Sequence, residues 1–199
     1  MRDLFIHAGP AKTGSSTIQA FLFANSETLS AAGLFVPPPT QAGLKGNHDY
    51  LLPLPDSAAL RPSAKAFEAT LRQSGLPPAV LLSSEEYAKC LPQPAYRAAL
   101  AGFARELGYR VRIVSFVRPQ VALINSIHMQ FVRSLQPCPP IETRLADWLA
   151  RPNWQNYRQR LQHYTGDGLL TARFLPFSRA AAAGGLGQQL LAIGEQPGQ

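Results

Sequence analysis

The stretch LFIHAGPAKTGSSTIQAFL, Leu4 to Leu22, constrains this chain more than any other, because it reads as a buried strand, a tight loop and the opening turns of a helix. Leu4, Phe5 and Ile6 form an apolar run of strand length. Gly9 and Gly14 bracket Pro10, Ala11, Lys12 and Thr13, and Ser15, Ser16 and Thr17 then lead into Ile18, Ala20, Phe21 and Leu22. Glycine reaches backbone angles that turn successive N–H groups toward one oxyanion, and the helix that follows presents the positive end of its dipole to the same place. The stretch therefore predicts a phosphate- or sulfate-sized anion at the junction of strand and helix. A βα turn with incidental Gly and Ser is the plainer reading of the same residues.

The rest of the chain alternates apolar runs with helical patterns. Helices are expected over residues 16–30, 57–74, 94–107, 121–133, 141–150, 153–164 and 178–193, and strands over 34–36, 79–82, 110–117 and 169–174. Pro37, Pro38 and Pro39 stop the second strand, Gly108 closes a helix, and Pro119 suits a helix's first turn. This alternation predicts the α/β class, with a central, mainly parallel sheet between two layers of helices. A single domain over residues 1–199 is expected, since 199 residues with 46% hydrophobic content supply one good core. Ligands of such sheets bind beyond the carboxyl ends of the strands. That rule gathers the Lys12 loop, the residues after Leu82 and the residues after Val117 along one edge.

The formal net charge of +7 favours an anionic partner. Nucleic acid is not expected, because the basic residues are dispersed, mostly Arg, and not interleaved with aromatics. Cys90 and Cys138 lie far apart without metal-ligand spacing, so neither a disulfide framework nor a zinc site is expected. No apolar block reaches the roughly 18 residues of a transmembrane helix. Arg2 and Asp3 precede a run without a signal peptide's cleavage pattern, and the expected location is the cytoplasm.

A nucleoside-triphosphate loop is written G-x-x-x-x-G-K-[ST]. Here Ser15 stands in the lysine's place, and the lysine is Lys12, two residues before Gly14. A second anion-binding pattern is Val114 to Val121, VSFVRPQV, followed by Ser126. An Arg at a strand end and a Ser eight residues on reach one phosphate if the helix runs back past the strand tip, the first with a planar fork of donors and the second with a hydroxyl. A surface Arg and an unrelated helix Ser are the alternative. Lys12-Thr13-Gly14-Ser15-Ser16 resembles the 5′-phosphosulfate loop of the sulfotransferase superfamily, typically Lys-[Ser/Thr]-Gly-[Ser/Thr]-[Ser/Thr] after a first strand. Arg118 with Ser126 resembles the same superfamily's 3′-phosphate motif, and Ser178-Arg179 and Gly184-Gly185-Leu186 are similar to its bacterial members.

The resemblance implies a P-loop nucleoside-triphosphate-hydrolase-like fold and a sulfotransferase. The donor would be 3′-phosphoadenosine 5′-phosphosulfate (PAPS), the product adenosine 3′,5′-bisphosphate, with no metal. It implies that Lys12, Thr13, Gly14, Ser15, Ser16 and Thr17 hold the 5′-phosphosulfate, that Arg118 and Ser126 hold the 3′-phosphate, and that Lys12 neutralises the leaving phosphate. Members take a catalytic Glu or His from the region after the second strand, which here holds His48; Glu85 and Glu86, after the third strand, are further candidates for the base. His48 beside Asp49 also reads as a hydrogen-bonded loop histidine, and Glu85-Glu86 as a solvated helix start. His7, at the end of the first strand, could contact a ligand, though a strand-end histidine is more often structural, and His128 at most lines the acceptor's cleft. The acceptor would be a small molecule or carbohydrate bearing a hydroxyl or amine, its pocket shaped by loop 40–55 and by region 137–154 with Trp148 and Trp154. Members continue past this length, so the resemblance implies a domain short at its carboxyl end. The competing expectations are a non-catalytic nucleotide-binding module and an ATP-dependent small-molecule kinase.

Overall fold

In the computed structural model, which describes residues 2–9, 12–40, 47–150, 162, 164, 168–177 and 185, strand β1 (Arg2–His7) pairs in parallel with a strand on each side. Its side chains alternate between two cores, Leu4 and Ile6 facing one and Phe5 the other. Being covered on both faces, it needs an unbroken apolar run. The other strands are β2 (Leu34–Phe35), β3 (Ala79–Ser83), β4 (Tyr109–Val117) and β5 (Thr171–Pro176). The five lie in the order β2-β3-β1-β4-β5, all parallel.

The helices are α1 (Ser15–Ala24), α2 (Ser26–Ala31), α3 (Ser63–Gln73), α4 (Tyr87–Cys90), α5 (Pro94–Glu106), α6 (Gln120–Arg133) and α7 (Ile141–Leu149). Phe67 and Leu71 of α3 and Tyr96 and Leu100 of α5 close the core around Leu4 and Ile6. Ile18 and Leu22 of α1 and Leu29 of α2 close the one around Phe5 and Phe116. Each of these fully buried apolar side chains contributes about 1.5–3 kcal/mol. The expected α/β class is therefore met by a parallel sheet with helices packed on both faces. No helix among the described residues is long and apolar enough to cross a membrane.

Several boundaries differ from the expected ones. The helix expected over 16–30 is two, because Asn25 turns its backbone N–H and its side-chain amide onto the Phe21 carbonyl, at 3.1 and 2.8 Å. The helix expected from residue 57 begins at Ser63, since Pro62 has no N–H to continue an earlier helix. The preceding residues instead form a loop closed by an antiparallel bridge between Pro53 and Leu60 and by the Arg61 N–H on the Leu52 carbonyl at 3.0 Å. The short α4 has no range among the expected helices, though the pair Glu85-Glu86, which also reads as a helix start, stands directly before it. Strand β5 lies two residues beyond its expected place, in a register set by β4 that pairs Phe116 with Leu175. The helices expected over 153–164 and 178–193 lie outside the described residues except at 162, 164 and 185, as do Gly46, Trp154, Ser178-Arg179, Gly184 and Leu186.

At the amino edge of the sheet Asp3 pairs with Arg110 and, at 3.0 Å, with Arg112. Burial pushes the Asp3 carboxyl up, but hydrogen bonds and charge from the two guanidiniums outweigh it and hold the carboxyl below its ordinary value. At the opposite edge the chain leaves β1 toward β2 on one side and β4 toward β5 on the other. The crevice beyond the carboxyl ends of β1 and β4 is thus the topological switch point of the sheet.

Candidate functional site

The loop after β1 starts from a fixed base. The Ala8 N–H donates to the Val114 carbonyl at 2.9 Å, the Ser84 N–H to the His7 carbonyl at 3.1 Å, and the Ser115 hydroxyl to the Ala8 carbonyl at 2.9 Å. Lys12 and Gly14 then have φ of 68° and 82°, the left-handed region. For Gly14 this costs little, but for Lys12 it costs about 1–2 kcal/mol. Left-handed residues close together in a turn point successive N–H groups into a concave anion nest. The N–H groups of Thr17 and Ile18 both reach the Gly14 carbonyl, at 3.0 and 3.1 Å, which starts α1. Gly14 offers no side-chain cap and no acid stands within the first turn of α1; the Glu85 carboxylate reaches this end from the neighbouring loop through the Ser15 hydroxyl, and the positive end of the dipole suits an anion. Thr13 and Ser15 are buried, while Ser16 and Thr17 are exposed.

Arg118, just beyond β4, closes on this loop. Its Nη1 donates to the Lys12 carbonyl at 3.0 Å, and its guanidinium carbon lies 5.3 Å from the centre of the Phe177 ring. Phe177 is held there by its N–H on the Val117 carbonyl at 2.7 Å. Lys12, Arg118 and Ser126 line one open cleft of about 840 Å³, within the size range of small-ligand sites. The structure thus brings together the two patterns that the sequence separates. Sequence reasoning missed Asn125, Gln130, Arg133 and Phe177, which also line the cleft. The first three continue from Ser126 at helical spacing along one face of α6, a signal that was there to be read; nothing local marks Phe177. Among the described residues the lining carries three cations, Lys12, Arg118 and Arg133, and no carboxylate.

The three candidates for the base occupy different surroundings. His48 is only 2% exposed. Its Nδ1 accepts from the Ser83 N–H at 3.0 Å, its own N–H donates to the Ser83 carbonyl at 3.0 Å, and its ring also hydrogen-bonds the Pro37 carbonyl. Burial pulls its pKa down to about 4, against the opposing effect of the Pro37 bond. His48 pins its loop to the end of β3 and does not line the cleft of Lys12. Glu86 pairs with Lys89 at 2.6 Å and lines a separate cleft with Arg61 and Cys90. Glu85 alone touches the loop, accepting a hydrogen bond from the Ser15 hydroxyl. Glu86 is the N-cap residue of α4, while Glu85 lies before it in the bend after β3.

Tyr87 supports this arrangement from below. Its hydroxyl donates to the His48 carbonyl at 2.6 Å and accepts from the Leu51 N–H at 3.4 Å. Tyr87→Phe leaves both backbone groups buried without that partner, and a loss of about 1–3 kcal/mol is expected. Urea unfolding measures it; an unchanged midpoint would show that the loop is held by other contacts.

The remaining histidines lie apart from the candidates for the base. His128 Nδ1 lies 3.4 Å from Cys138 Sγ and does not line the cleft. His7 is fully buried beneath the loop, with Nδ1 2.8 Å from Ser83 Oγ. Trp148 falls on α7. No group of three or more His, Cys, Asp or Glu residues able to hold a metal ion occurs among the described residues. Among known proteins, no family model and no curated sequence matches this chain.

Proposed function

We propose that this domain is a PAPS-dependent sulfotransferase on a P-loop-like fold. The observation that carries the reading is the meeting of Lys12, Arg118 and Ser126 in one cleft at the switch point, with Arg118 bonded to the Lys12 carbonyl. An uncapped helix start beside Lys12 suits a 5′-phosphosulfate, and the Arg118 fork with the Ser126 hydroxyl suits a 3′-phosphate.

In the proposed reaction an acceptor hydroxyl or amine attacks sulfur in line, and the bond from sulfur to the bridging oxygen breaks. The sulfuryl group passes to the acceptor and adenosine 3′,5′-bisphosphate leaves. Lys12 and the loop N–H groups stabilise the charge gathering on the 5′-phosphate. Glu85, oriented by the Ser15 hydroxyl, takes the acceptor's proton. It is preferred to His48, whose Nδ1 is occupied by the Ser83 N–H and whose ring is further tied to Pro37. A small molecule or carbohydrate is the acceptor, and the cytoplasm the proposed location.

Isothermal titration tests the reading. Adenosine 3′,5′-bisphosphate is expected to bind and ATP with magnesium not to bind. Adenosine 5′-phosphate should bind about 10–100-fold more weakly than the bisphosphate, a gap that Arg118→Ala closes. Tight magnesium-dependent ATP binding would instead favour a kinase, and bisphosphate binding without PAPS turnover over an acceptor panel a non-catalytic module.

A further inference from the structure

The buried base of the loop holds one polar atom that none of the contacts above employs. His7 ends β1 on the same face as Phe5, beneath α1, and is fully buried. Its ring stands edge-on to Phe116, with centroids 5.7 Å apart and planes at 73°. Nδ1 meets the Ser83 hydroxyl at 2.8 Å, while Nε2 is buried with no hydrogen-bond partner among the described residues. With Nδ1 accepting from Ser83, the proton of the neutral ring sits on Nε2, which makes that atom a donor.

The direction in which this donor points follows from Gly9. A Cβ built on Gly9 would lie 3.1 Å from His7 Cε1, 3.2 Å from His7 Nε2 and 3.3 Å from Ser15 Cβ. The Nε2 edge of the ring, the start of the loop and the first residue of α1 therefore converge on one spot, packed too closely for a side chain on Gly9 unless its neighbours give way. Neighbouring polar groups at the base, on Ala8, Ser84 and Ser115, are paired. Two independent features thus meet at the same place: the amino end of a ten-residue helix, whose N-cap Gly14 has no side chain to offer, and a fully buried ring nitrogen that is a donor in the tautomer whose Nδ1 accepts from Ser83. Native interiors rarely leave such a donor unpaired, and an oxyanion complements both features at once.

We propose that His7 is an anion-binding residue: its Nε2–H donates from beneath to an oxygen of the phosphate or sulfate group held in the Lys12 loop. The proposal rests on the anion-binding part of the reading above and not on sulfuryl transfer. It gives the loop a donor from the strand floor in addition to its backbone and Lys12. Gly9 then has a specific task, since any side chain there would stand between donor and anion.

The experiment observes the wild-type chain directly. Long-range ¹H–¹⁵N spectra of protein labelled at histidine nitrogens are recorded while inorganic sulfate, inorganic phosphate or adenosine 3′,5′-bisphosphate is titrated, with calorimetry measuring each affinity. The His7 Nε2 resonance is expected to move to a saturable limit that tracks the calorimetric isotherm, while that of His128 stays in place. Among the three probes, the one bound most tightly identifies whether the site prefers a free anion or one borne on a nucleotide. His7→Gln, whose amide nitrogen can take the place of Nε2, should keep the affinity within about 3-fold, whereas His7→Asn, which retains only a partner for Ser83, should lose about 10-fold or more. Binding that leaves His7 Nε2 unmoved at saturation overturns this proposal and leaves the loop reading standing. Equal affinities for the Gln and Asn variants, both folded by Tm, overturn it too. No binding of any probe overturns it together with the loop reading.

Discussion

Acidification from pH 6.5 to pH 4 is expected to remove on the order of 6 kcal/mol of folding stability through His7 and His48. Burial lowers the folded-state pKa of each from 6.5 to about 4, for His48 against a bond to Pro37 that acts the other way. In the window between these values the unfolded chain binds a proton at each ring and the folded chain does not, so stability rises with pH. The contribution is complete above pH 6.5 and is lost as pH falls toward 4, roughly 3 kcal/mol per histidine. Domains of this kind are stable by only about 5–15 kcal/mol in all, so acid should come close to unfolding the protein. The two effects are not independent, because His7 meets the Ser83 hydroxyl and His48 accepts from the Ser83 N–H. Urea titrations at several pH values measure the slope directly. A His48→Gln protein should lose about half of it, and a midpoint constant from pH 7 to pH 4.5 would disprove the account.

Lys12→Ala is expected to lower kcat for PAPS-dependent transfer about 10²–10³-fold, the effect of removing one preorganised group from developing charge. Arg118→Ala acts differently. It removes the bond that holds the Lys12 carbonyl and, on the proposed reading, the fork offered to the 3′-phosphate, so affinity for the bisphosphate should fall about 10–100-fold and kcat should fall with it. Arg118→Lys should restore little of either, because an ammonium cannot serve the phosphate and the carbonyl in one plane. Single-turnover kinetics separates the two positions: Lys12→Ala slows the chemical step at saturating donor, and Arg118→Ala raises the donor concentration needed for saturation. Wild-type turnover in Lys12→Ala would dismiss the assignment of the leaving-group role.

The strands were legible in the sequence because a parallel sheet buried on both faces demands near-continuous apolar runs, and Leu4 to Ile6, Val80 to Leu82 and Ile113 to Phe116, broken only by Ser115, supply them. The loop was legible because Gly14 carries a left-handed angle that few other residues take easily. The partnership of Lys12 with Arg118 could be anticipated from the rule that gathers strand ends, though not the bond itself, which joins residues 106 apart in sequence. What escaped was long-range or rotational. Nothing near His48 announces that β3 will take up its Nδ1, and nothing in Glu85-Glu86 says which of the two turns toward Ser15. Pro62 was a visible stop, yet the helical pattern around it suggested an earlier start than its missing N–H allows.

The placing of β1 between β3 and β4 also bears on how the domain comes into being. During synthesis β1 is the first strand to emerge, but its second neighbour is complete only when Val117 has been added. At about 5–20 residues per second, an apolar strand and the unfinished loop beyond it stay without a full lattice of partners for several seconds or more. The amino-terminal segment is therefore the part of the nascent chain most in need of shielding. The Lys12 loop, made before four of the five strands, gains its bond from Arg118 only once β4 is complete.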